Sequence, residues 1–132
     1  MEQSLVLIKP DATKRNIVGK IIAFYESNGL VVKQIKKLTV SRELAEMHYE
    51  EHIGKYFFED LIDYITTGEV VAMVLEGENA VSRIRDLNGA TNPEDAKEGT
   101  VRKLFAISRR ENSVHASDSI ESAERELKLW FN

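Results

Sequence analysis

Val70-Val71-Ala72-Met73-Val74-Leu75-Glu76, set between Gly68 and Gly77, holds the longest apolar run of the chain. It is too short for a core helix and rich in β-branched residues, so it reads as a strand. On its N-terminal side Phe57, Leu61, Ile62 and Ile65 recur at helical spacing up to Gly68, and on its C-terminal side Asn79 opens a helix with Val81, Ile84 and Leu87 on one face. The strand is therefore a sheet element with helices on either side of it in the chain. Further out, Ser4 to Ile8 is a second short apolar run, closed by Lys9 and Pro10, which predicts a buried strand followed by a loop over Asp11 to Asn16. Val18, Ile21, Ile22 and Tyr25 predict a helix that Asn28 and Gly29 terminate, and Leu30 to Val40, interrupted by Lys33, Lys36 and Lys37, predicts a partly exposed strand.

Ser41 is a suitable N-cap for a helix through Leu44, Met47 and His48. Asn88 to Thr100 holds two glycines and a proline without helical periodicity, so it reads as a long loop. Leu104 to Ile107 is expected to be the last strand, Arg109 to Ser117 a polar connection, and Ile120, Ala123, Leu127, Trp130 and Phe131 the apolar face of a final helix capped by Asp118 or Ser119. This order contains a split βαβ pattern twice. It predicts an α/β (α+β) fold with a four-stranded antiparallel sheet carrying helices on one face, ahead of a doubly wound parallel sheet.

Size and charge narrow the function. With 132 residues, 42% of them hydrophobic, the chain supplies one packed core, so residues 1–132 are expected to form a single domain. A net charge of −4 argues against sequence-independent or sequence-specific nucleic-acid binding, while leaving room for a basic pocket. The absence of cysteine removes disulfide, iron–sulfur and thiol chemistry. The N-terminus has only four consecutive apolar residues before Lys9, too few for a secretion signal, and no run approaches a membrane span, so a cytoplasmic location without membrane attachment is expected.

Neither G-x-x-x-x-G-K-[ST] nor G-x-G-x-x-G occurs, so phosphates would have to be held by side chains. Lys9, Arg85, Thr91 and Arg102 are the candidates, since ammonium and guanidinium groups pair with phosphate oxygens. His48-Tyr49-Glu50-Glu51-His52 matches H-x-x-E-H, the inverted zinc-peptidase motif, with two imidazoles four residues apart; a solvated helix surface is the competing reading. His115 lies between the expected last strand and the final helix, among Asn112, Ser113, Ser117 and Asp118. A neutral imidazole is a competent nucleophile toward phosphorus, and Glu126 on the final helix could fix its tautomer. From spacing alone a hydrogen-bonded structural histidine is the favoured reading.

Taken in order, Leu7-Ile8-Lys9-Pro10-Asp11-Ala12, His48-Tyr49, Phe57-Phe58, Val70 through Gly77, Gly89-Ala90-Thr91-Asn92-Pro93, Gly99-Thr100-Val101-Arg102 and Asn112-x-x-His115-x-Ser117-Asp118-Ser119 resemble the nucleoside diphosphate kinase family over essentially the whole chain. The resemblance implies a ferredoxin-like sandwich and ping-pong transfer of a γ-phosphate through a phosphohistidine, with Mg²⁺ held through the nucleotide phosphates. It implies that His115 is the nucleophile, that Ser117 and Glu126 orient it, and that Lys9, Tyr49, Arg85, Thr91, Arg102 and Asn112 bind phosphates and ribose. Phe57 would stack on the base with Leu61 beside it, and His48 and His52 would lie on a helix surface. An inactive nucleotide-binding module on the same fold is the alternative and a zinc peptidase a remote one.

Four positions depart from the family pattern. Ala116 stands where glycine is usual and would cost about 1 kcal/mol if φ had to be positive there. Arg109 replaces an apolar neighbour of the base, Tyr56 a proline, and Asn88 an apolar residue. The chain stops at Asn132 without the extension many members use between subunits, yet a hexamer or tetramer is expected by the same resemblance.

Overall fold

The computed structural model describes residues 1–131. The elements run β1 (Glu2–Ile8), α1 (Pro10–Lys14), α2 (Val18–Ser27), β2 (Val31–Thr39), α3 (Arg42–His48), a 3-10 turn at Glu50–His52, α4 (Phe58–Ile65), β3 (Glu69–Gly77), α5 (Ala80–Asn88), α6 (Val101–Phe105), β4 (Val114–Ala116) and α7 (Ile120–Phe131). The strands form one antiparallel sheet in the order β2-β3-β1-β4. This is the expected four-stranded antiparallel sheet with packed helices. Among the described residues no helix is long and apolar enough to cross a membrane.

Both faces of the sheet are covered, which corrects the expectation of helices on one face. Val6, Ile8, Val71, Met73 and Leu75 pack with Ile21 and Tyr25 of α2 and Ile84 of α5. Leu5, Leu7, Val70 and Ala72 pack on the opposite face with Ala45 of α3, Ile62 and Ile65 of α4 and Trp130 of α7. A strand buried on both faces needs apolar side chains at every position rather than alternate ones. The unbroken run from Val70 to Leu75 is that signature.

Three local expectations are corrected. Asp11–Lys14 is helical, because Pro10 at the first helical position has its fixed φ and needs no donor there. Leu104 belongs to α6, whose start is capped by the Thr100 hydroxyl accepting from the Lys103 amide at 3.3 Å, so the strand read at Leu104–Ile107 does not exist. The fourth strand is Val114–Ala116, inside the stretch read as a polar connection. The N-caps fall as expected at Ser41, which accepts from the Leu44 amide at 3.0 Å, and at Ser119, which accepts from the Ser122 amide at 3.0 Å.

Strand alternation aims the key histidine. Leu7 faces His115 across the β1/β4 ladder and Ile8 faces Val114. Val114 and Ala116 join the face of α2 and α5, so the His115 side chain points to the other face, toward α3 and α7. Leu5 extends the register, its carbonyl accepting from the Ser117 amide at 3.2 Å and its amide donating to Ser117 Oγ at 3.3 Å.

Candidate active site

A cleft of about 770 Å³ opens beside β4. Lys9, Tyr49, Phe57, Leu61, Arg85, Thr91, Arg102, Asn112, His115 and Glu126 all line it, so every predicted site residue except Ser117 reaches this one space. Ser117 is fully buried and acts from behind, its hydroxyl donating to Glu126 Oε1 at 2.8 Å.

His115 Nε2 lies 3.1 Å from the same Glu126 oxygen. A carboxylate only accepts, so Nε2 carries the proton and the neutral ring keeps its free lone pair on Nδ1. Glu126 lies on α7 and is itself buried, so its carboxylate bonds to His115 and Ser117 rather than to bulk water.

Lys9 is buried at the end of β1, its ammonium donating to Asn112 Oδ1 at 3.1 Å. Burial, helped by the nearby Arg102 guanidinium, pushes it down from 10.5 to about 8. Below about pH 8 the group is protonated folded and unfolded alike; between about 8 and 10.5 only the unfolded chain holds the proton, so stability rises with pH across that window. The grip on phosphate runs the opposite way and weakens as the cation is lost. We expect kcat/KM, which reports free-enzyme ionisations, to fall above about pH 8 and the Lys9→Arg variant to shift that limb upward. The same limb in both proteins would mean that another group titrates there.

Arg102 rises from α6, with Nη1 donating to the Gly89 carbonyl at 2.7 Å and Nη2 to the Val114 carbonyl at 2.9 Å. Gly89 is at φ +83°, and a Cβ there would meet Thr100 Oγ1 at 2.6 Å, so only glycine lets the α5 end approach α6 this closely. None of Lys9, Arg85 and Arg102 forms an ion pair among the described residues. Three cations outside any ion pair on one cleft suit a polyanion. Tyr49 contributes a phenol that burial pushes up, so it stays protonated and can donate.

The sequence reading missed Asp11 as an organiser. Its buried carboxylate accepts from the Ser113 hydroxyl at 2.9 Å, the Ser113 amide at 3.3 Å, the Arg15 guanidinium at 3.1 Å and the Tyr64 hydroxyl. It thereby ties the Asn112–Ser113 corner, where Ser113 holds φ 72°, to α1 and α4. A carboxylate directly after Pro10 at a strand end was the available signal.

The H-x-x-E-H reading fails on two counts. α3 ends at His48 and His52 lies in the following 3-10 turn, so the pair does not share a helical face. His48 is 2% exposed, which also corrects its assignment to a helix surface. His48, His115 and Glu126 do bring one ligand atom each within 4.8 Å of one another. The Trp130 indole, however, donates to His48 Nδ1 at 3.1 Å, which uses that lone pair and leaves the proton on Nε2, so His48 has no atom free to ligate.

Comparison with known proteins agrees with this geometry. The family profile described as nucleoside diphosphate kinase matches residues 2–132. The chain belongs to the nucleoside diphosphate kinase family. A nucleoside diphosphate kinase of Clostridium perfringens is 60% identical over 131 residues, covering 99% of this chain and 92% of that protein. One from Caldanaerobacter subterraneus is 56% identical, covering 99% and 94%. The crystal structure of the nucleoside diphosphate kinase from Encephalitozoon cuniculi superposes with a TM-score of 0.96 at 40% identity, covering 99% of this chain and 89% of that one. That of the Aquifex aeolicus enzyme gives 0.96 at 36%, covering 99% and 95%. As a member of the nucleoside diphosphate kinase family the chain is a phosphotransferase.

The departures from the family pattern find physical accounts. Ala116 is an ordinary strand residue without positive φ, so the expected strain is absent. Asn88 is buried and accepts from the Tyr25 hydroxyl at 2.5 Å. The Tyr25 hydroxyl and the Asn88 amide oxygen pair across α2 and α5, while the Asn88 amide nitrogen has no partner among the described residues, and removing either member of the pair would orphan the other at roughly 1–3 kcal/mol. Arg109 and Tyr56 both line the cleft and are exposed, and the Tyr56 ring stands edge-on to Phe57 at 5.3 Å between centroids.

Proposed function

We propose that the chain carries the γ-phosphoryl group of a nucleoside triphosphate to a nucleoside diphosphate through a phosphohistidine on Nδ1 of His115. The observation that supports this most is the His115–Glu126 hydrogen bond, because it leaves the nucleophilic lone pair on Nδ1. In the first half-reaction the Nδ1 lone pair forms the N–P bond as the bond from the γ-phosphorus to the β,γ-bridging oxygen breaks, and a nucleoside diphosphate departs. Nε2 keeps its proton, and the positive charge that develops on the ring faces the Glu126 carboxylate. In the second half-reaction a terminal oxygen of the acceptor's β-phosphate attacks the same phosphorus and the N–P electrons return to Nδ1.

Lys9, Arg85 and Arg102 balance the phosphate charge, and Thr91, Tyr49 and Asn112 supply hydrogen bonds to phosphate and ribose. Phosphoryl transfer needs positioning and charge neutralisation more than covalent machinery. Mg²⁺ is a hard cation that takes oxygen ligands. Of the cleft carboxylates Glu51, Asp118 and Glu126, the last is engaged with His115, and the ion would take its remaining ligands from the nucleotide phosphates. Asp118, held below the usual carboxylate range by the Ser122 hydroxyl at 2.6 Å, is the protein group available to support it. The ion would neutralise phosphate charge.

Phe57 offers the base a ring face, with Leu61 one helical turn on. Neither has edge donors or acceptors, so all four bases should be accepted to similar extents. Arg109 lines the cleft and carries donors that could read a base edge, but holding an exposed guanidinium in one pose costs side-chain entropy. We expect kcat/KM for the four diphosphates to agree within about tenfold, and Arg109→Val to leave that spread unchanged. A strong guanine preference that disappears in Arg109→Val would reverse this reading.

Residues 1–132 would act as one catalytic domain in the cytoplasm, assembled as a hexamer or tetramer. The support for assembly is the edge strand β2, where Val31 and Ile35 are exposed. The deciding experiment for the function is incubation with γ-labelled ATP and Mg²⁺. An acid-labile, base-stable covalent phosphate on His115 is expected, and nucleotide binding with no covalent label would favour the inactive binding module.

A further inference from the structure

The H-x-x-E-H segment contains one residue that the mechanism above does not use and that the fold nevertheless buries against the nucleophile. His48 is the last residue of α3, and its ring stands edge-to-face with that of His115, centroids 4.6 Å apart and planes at 79°. A second imidazole so close to a nucleophilic one is a hazard as well as a support, since either could take a phosphoryl group. The chain settles which one does. Trp130 donates to His48 Nδ1 at 3.1 Å, while Glu126, one helical turn earlier on α7, accepts from His115 Nε2. One ring therefore has its unprotonated nitrogen covered, and the other has it free.

The rest of α7 fixes the same joint. Arg125 Nη1 donates to the Met47 carbonyl at 3.2 Å and Nη2 to the His48 carbonyl at 3.3 Å, pinning the end of α3. Burial first, then the charges of His115, Lys9, Arg125 and His52, hold the His48 imidazole well below its ordinary range. His48 thus faces His115 as an uncharged ring whose own rotation is blocked.

We propose that His48 is a positioning residue: locked by Trp130, its ring buttresses the His115 imidazole and keeps Nδ1 aimed at the incoming phosphorus. The proposal rests on His115 being the phosphorylated residue. It also gives a part in the site to a residue whose motif implied only a place on a helix surface.

Two substitutions separate the buttress from the hydrogen bond. Asparagine at this position, His48→Asn, offers an amide oxygen near the place of Nδ1 and so keeps the Trp130 partner, but it has no ring to set against His115. His48→Phe keeps a ring and loses the acceptor. Single-turnover phosphorylation by γ-labelled ATP, ADP affinity by calorimetry and thermal melting are measured for each. The expected result is crossed: His48→Asn melts near the native temperature and binds ADP within about twofold, yet is labelled at least tenfold more slowly, whereas His48→Phe melts lower and is labelled faster than His48→Asn. Native-rate labelling of His48→Asn would reduce His48 to a partner for the indole and overturn the proposal, even if His48→Phe does not fold. Slower labelling of a folded His48→Phe than of His48→Asn would overturn it too. No label on the native protein would instead remove the phosphohistidine reading itself.

Discussion

His115→Ala is expected to lower phosphoryl transfer by about four orders of magnitude or more while ADP affinity stays within a few-fold of native. The substitution deletes the only atom proposed to bond phosphorus, and the neighbouring His48 cannot take its place, because its Nδ1 lone pair is committed to Trp130. Binding is carried by other groups: Lys9, Arg85 and Arg102 come from β1's end, α5 and α6, none of which the histidine supports. A coupled assay for turnover together with calorimetry for ADP reads the two quantities separately. Near-native turnover would eliminate the covalent mechanism, and a matching collapse of ADP affinity would mean that the imidazole is a structural part of the cleft.

The same residues show how far a sequence carries such an argument. β3 and β1 were legible because apolar runs of that length bounded by glycine, lysine and proline have few other uses, and the caps at Ser41 and Ser119 were legible because their side chains bond locally. β4 was not. It is three residues long and pairs with β1 alone among the described residues, so its Val114-His115-Ala116 alternation is too short to be recognised as a strand. The apolar residues near Leu104 looked like the missing strand because the Thr100 cap that turns them into α6 lies four residues upstream, at the end of a loop.

Individual site residues were legible through the family's motifs, but their support was not. Phe57, Arg85 and Arg102 reach one cleft only because the sheet brings α4, α5 and α6 around β4, and periodicity says nothing about that convergence. The burial of His48 was hidden for the same reason: within its own segment it looks like one of two histidines on a polar helix, and only the packing of α7 onto α3 makes it an interior residue. Asp11 was hidden because its partners, Ser113 and Tyr64, are remote in sequence.

Glu126→Gln should then be the second most damaging change, slowing His115 phosphorylation by roughly two to three orders of magnitude although the replacement has the same shape. Glu126 Oε1 accepts from both His115 Nε2 and the Ser117 hydroxyl, while Oε2 lies 3.9 Å from the Arg125 guanidinium. A glutamine has one acceptor and one donor end. With its oxygen toward His115 and Ser117, the amide hydrogens face a guanidinium that is also a donor; with the amide turned round, its N–H₂ confronts Nε2 and favours the tautomer that protonates Nδ1, the atom that must attack. In either orientation the negative charge that faces the imidazolium of the phosphorylated ring is gone. Ser117→Ala removes only one of the two donors to Oε1 and should cost about tenfold, so the ratio between the two variants isolates the charge and tautomer from the orientation. Single-turnover labelling of both variants, with ADP affinity as the control, gives that ratio. Equal, small effects would mean that His115 finds its reactive tautomer without the carboxylate, and the assignment of Glu126 would fall.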